Sequence, residues 1–95
     1  MGRKPSNYFK GAKIMPHIRA HVRLTTQNDV MDFIRALCDG TSNFYDLENY
    51  DGSKCVNARS LLGVLYATGE FPNSLYLVNT TVDGEFPSAI DQFRI

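Results

Sequence analysis

Apolar positions along the chain fall into a short series of distinct patterns. Residues 1–16 show no period and contain Gly2, Pro5, Ser6, Asn7, Gly11 and Pro16. They read as an extension preceding the folded unit. Ile18 to Leu24 alternates strictly: Ile18, Ala20, Val22 and Leu24 are apolar, and Arg19, His21 and Arg23 are polar. A period of two places one set on a core and the other in water, which predicts a half-buried strand. Thr26-Gln27-Asn28-Asp29 then fits a capping box, with Thr26 as the N-cap and Asp29 at the third helical position. Val30, Phe33, Ile34 and Leu37 continue as a helical stripe, with Gly40 as its stop.

Phe44–Leu47 and Lys54–Val56 read as short strands joined by the turn 49–53, where Asp51-Gly52 supplies the turn signal. A second helix is expected over Arg59–Ala67, apolar at Leu61, Leu62, Val64 and Leu65, and closed by Gly69. Leu75–Val78 is a fourth strand and Asp83-Gly84 another turn. Ala89, Ile90 and Phe93 form a last short helix starting after Pro87. The order β-α-β-β-α-β-α predicts a two-layer α+β sandwich, with helices on one sheet face and water on the other. The expected core is Ile18, Val22, Phe33, Ile34, Leu37, Leu61, Leu65, Leu75, Leu77 and Phe93. Physical pattern alone leaves the strand order open.

A chain of 95 residues makes one domain and can build a core. It has little room for a deep cavity as well, so a cofactor enzyme is not expected, and no cofactor is implied. No apolar run reaches the ~20 residues of a membrane span, and no leader is visible, so a cytoplasmic protein is expected. Cys38 and Cys55 lie far from any metal-binding or redox spacing and read as reduced, buried thiols. Tyr45, Tyr50, Tyr66 and Tyr76 are expected to pack sheet and turns. His17 and His21 read as plain polar residues; as strand neighbours four apart they stand ~13 Å from each other, which removes a shared metal. Asn79-Thr80-Thr81 is a glycosylation sequon, without meaning in a cytoplasmic protein.

Zero net charge hides a division. Residues 1–28 hold six basic side chains and no acid, whereas residues 29–95 hold four basic and all ten acidic ones. A basic segment before an acidic body fits either a tail resting on its own domain or a nucleic-acid arm.

The run from Gly52 to Leu65, and above all Ala58-Arg59-Ser60-Leu61-Leu62-Gly63, resembles the second-helix region of HPr, the phosphocarrier family of the bacterial sugar phosphotransferase system. The resemblance covers about residues 18–95, which divides the chain into a basic extension, 1–16, and an HPr-like domain, 17–95. It implies an open-faced sandwich with an antiparallel sheet in the order 1-4-2-3. It also implies that Ser60 is a regulatory phosphorylation candidate and that Leu61, Leu62, Gly63 and Leu65 contact protein partners.

Carriers of this family have a histidine that accepts the phosphoryl group, an arginine two residues on, and then a proline. Here Thr26, Asn28 and Asp29 stand at those places. The physical chemistry agrees. A helix N-terminus attracts anions through its free N–H groups, but a hydroxyl cap, a neutral amide and a carboxylate leave a phosphoryl group without carrier or counter-charge. The expectation is an HPr-related, non-enzymatic module that binds regulatory or phosphotransferase-system proteins without relaying phosphate. A carrier using another acceptor, or a nucleic-acid binder using the basic segment, are the alternatives.

Overall fold

In the computed structural model, residues 17–39 and 42–95 are described. The extension 1–16 and the helix stop expected at Gly40 lie outside them. The elements are β1 (Arg19–Val22), α1 (Gln27–Cys38), β2 (Tyr45–Glu48), β3 (Cys55–Asn57), α2 (Leu61–Glu70), β4 (Leu75–Asn79) and a final 3-10 helix (Ser88–Phe93). The fold is α+β, with four antiparallel strands in the order β1-β4-β2-β3.

Register follows the alternation. Leu77 in β4 lies between Ala20 of β1 and Leu47 of β2, and Val22 is opposite Leu75. These five side chains are fully buried. Onto them α1 lays Val30, Phe33 and Leu37, α2 lays Val64 and Ala67, and the 3-10 helix lays Ile90 and Phe93. Phe33 and Phe93 meet edge to face with ring centroids 5.7 Å apart, a favoured aromatic geometry. Both turn glycines adopt positive φ, Gly52 at 75° and Gly84 at 84°, a region open to glycine because it lacks a Cβ.

The other sheet face carries a layer of polar side chains. Arg19 reaches across β4 to Glu48 at 3.5 Å and donates to the Asn49 carbonyl at 3.3 Å. Its guanidinium lies 4.3 Å from the centre of the Tyr76 ring, and the His21 imidazole stacks on the same ring at 4.4 Å. Arg19, His21, Glu48 and Tyr76 are consequently half-buried.

Several expectations about individual residues are corrected. Ile18 is 59% exposed. It precedes β1, its N–H bonds the Asp83 carboxylate, and its side chain lies over Gly84, away from the core. Ile34 keeps its expected place against the core but is half-buried there. Leu61 and Leu65 are exposed, at 42% and 39%. The buried line of the second helix is instead Val64, Ala67 and Phe71, spaced i, i+3, i+7. That helix starts two residues later than expected and runs through Gly69 to Glu70, so Gly69 does not stop it. Cys38 and Cys55 are both free but exposed. Cys38 ends α1 on its outer side, and Cys55 shares the polar sheet face with its partner Glu48, because Val56 takes the inward place. Of the four tyrosines, Tyr45 is buried, whereas Tyr50 and Tyr66 are exposed.

Candidate functional site

Thr26 leaves β1 in extended geometry, φ −126° and ψ 164°, which turns the chain into α1 and frees its hydroxyl to cap the helix. The Asp29 N–H donates to Thr26 Oγ1 at 3.0 Å, and the Thr26 N–H donates to Asp29 Oδ2 at 3.2 Å. The capping box is complete. Thr25 adds two donors to the same carboxylate oxygen, its N–H and its hydroxyl, each at 2.9 Å. The Asp29 carboxyl is therefore held below the usual aspartate range, first by Thr25 and then by Thr26. Chemically, this helix start already contains its anion. The Thr25 N–H, the Thr25 hydroxyl and the Thr26 N–H are turned onto the chain's own carboxylate, and Asn28, exposed in the first turn, brings no positive charge.

An open groove of about 660 Å³ runs beside this cap. Arg23, Thr25, Thr26 and Gln27 form one wall, and Leu65, Thr68, Pro72 and Asn73 the other. Neither histidine lines it. His21 Nε2 lies 3.2 Å from the Asn73 carbonyl oxygen, with its ring on Tyr76, and His17 is near Asp83 at 3.6 Å.

Ser60 caps α2 as Thr26 caps α1. Its φ and ψ are −91° and 121°, and its Oγ accepts the Gly63 N–H at 3.1 Å. It is half-buried. Beside it, Arg59 Nε donates to the Leu37 carbonyl at 3.1 Å, and its guanidinium lies 5.6 Å from the Tyr45 ring centre. Arg59 thus ties the last turn of α1 to the start of α2, satisfying a carbonyl that the helix leaves unpaired. Nothing in the one-dimensional pattern distinguishes this arginine from a surface charge.

The apolar residues proposed for contact separate into two groups. Leu61, Leu62 and Leu65 lie on the outer side of α2, with Leu62 80% exposed. Tyr66, which the sequence pattern assigns to packing, joins them at 48% while touching Phe71 edge to face. Gly63 has an inner place: a Cβ there would lie 3.2 Å from the Asn57 carbonyl oxygen and 3.2 Å from Val56 Cβ. Its bare backbone lets α2 approach β3. The Leu61, Leu62, Leu65, Tyr66 spacing, i, i+1, i+4, i+5, is the signal that could have assigned Tyr66 to the outer strip.

Asn79, the sequon residue, is 1% exposed. Its amide nitrogen donates to the Glu85 carbonyl at 2.6 Å, and its oxygen accepts from Thr81 and Val82 N–H, both at 2.8 Å. It organises the loop after β4 from inside. Among the described residues no three His, Cys, Asp or Glu side chains are grouped so as to hold a metal ion, and no helix is long and apolar enough to cross a membrane.

No family model matches the chain, and no curated protein or solved structure matches it either.

Proposed function

We propose that the chain is an HPr-like, cytoplasmic binding module of the phosphotransferase system that has lost the phosphoryl relay and works through protein contact. The observation that carries this reading is the capped start of α1, where Asp29 receives three hydrogen bonds, at the helix end where the resemblance expects a carrier to hold phosphate. Element order and strand order are those that the resemblance implies. The contact surface is the outer strip of α2, Leu61, Leu62, Leu65 and Tyr66, continuous through Leu65 with the groove beside Thr26. Apolar side chains gathered at a groove of mixed polar and apolar lining are the usual composition of a recognition surface. Ser60, at the base of the strip, is the candidate for regulation, since a phosphate on a helix cap gains from the helix dipole.

The test uses the general enzyme of the phosphotransferase system. With phosphoenolpyruvate, that enzyme is expected to leave no acid-labile phosphate on the protein. Without phosphoenolpyruvate, an NMR titration is expected to shift the amides of residues 61–66, and Leu62→Asp to abolish the shifts. Stoichiometric labelling would establish a carrier with another acceptor. An unperturbed 61–66 strip would remove the contact surface.

A further inference from the structure

We draw no further inference here: the strongest candidate, the exposed apolar strip of α2 with the groove that Leu65 and Thr68 share with the start of α1, belongs to the surface already proposed for partner contact, and nothing in the structure shows what else covers it.

Discussion

Thr26 and Asp29 cap one another: the hydroxyl of the first accepts the backbone N–H of the second at 3.0 Å, and the carboxylate of the second accepts the backbone N–H of the first at 3.2 Å. Two of the donors that a helix start leaves unpaired are satisfied without water or ligand. The arrangement is structural in its energetics, and it sets a carboxylate at the end of α1 that favours an anion. Thr26→Ala should destabilise the fold by about 0.5–2 kcal/mol in a urea melt. Asp29→Asn adds a pH signature. The folded carboxyl titrates below its unfolded value, so its stabilisation is full above the ordinary aspartate range and is lost as pH falls through the folded pKa. The gap in urea midpoint between wild type and Asp29→Asn should therefore be constant near neutrality and close below about pH 4. A gap that persists in acid would mean that Asp29 acts through something other than its charge.

Gly63 and Gly69 occupy the same helix and should respond oppositely to alanine. A Cβ on Gly69 meets nothing within 4 Å, so Gly69→Ala gains helix propensity freely, about 0.5–1 kcal/mol. A Cβ on Gly63 meets the Asn57 carbonyl and Val56 Cβ at 3.2 Å and Ser60 Cβ at 3.4 Å, so α2 must shift from β3 to admit it. Gly63→Ala should lose that gain, with a urea midpoint at or below wild type. Equal stabilisation by both substitutions would place Gly63 on the outer side of α2.

These elements also mark where the sequence was readable. β1 and α1 contrast apolar with polar side chains, so their periods select a face, and Val22, Phe33 and Leu37 fall where the pattern puts them. The α2 segment is apolar almost all round. Its period cannot choose between Leu61-Leu65 and Val64-Ala67, and the choice is made by packing against β3 through Gly63. By residue type Gly69 signals a stop, but the helix runs on through Glu70 to its cap at Phe71. The habit of the residue type favours buried cysteines, whereas the alternation of β3 around Val56 decides the matter for Cys55. The capping box was legible; the two further donors from Thr25 were not, because they depend on how β1 turns into α1.

Cys55 is exposed yet should react slowly. Desolvation comes first and then the charge and hydrogen bond of Asp46, with Glu48 adding to them; together they push its thiol up to about 11. Since the thiolate is the nucleophile, iodoacetamide labelling of Cys55 in a Cys38→Ser background should rise about tenfold per pH unit between pH 7 and 10. Asp46→Asn removes one of the carboxylates and should speed labelling at fixed pH. A rate that levels off near pH 9 would show that the acidic neighbours do not govern this thiol.

On the proposed HPr-like reading, building a phosphoryl relay into this chain should require more than a histidine. Thr26→His supplies an imidazole at the start of α1 but leaves Asp29 in the electropositive turn and Asn28 without charge. A phosphoryl group there would face a carboxylate and lack the charge-assisted hydrogen bond worth about 1.5–3 kcal/mol. Asn28→Arg returns the cation. Asp29→Pro removes the acid at a position in the first turn where proline is tolerated: the N–H it deletes has no partner in the helix ladder, and its capping partner, the Thr26 hydroxyl, is gone once histidine replaces it. Labelling by phosphoenolpyruvate and the general enzyme of the phosphotransferase system should then be slight for Thr26→His and clearly higher for the triple variant. A thermal melt of each variant separates poor acceptance from poor folding. If Thr26→His alone takes phosphate as well as the triple variant does, the Asp29 carboxylate is not what bars this site, and the proposed absence of carrier chemistry rests on Thr26 alone.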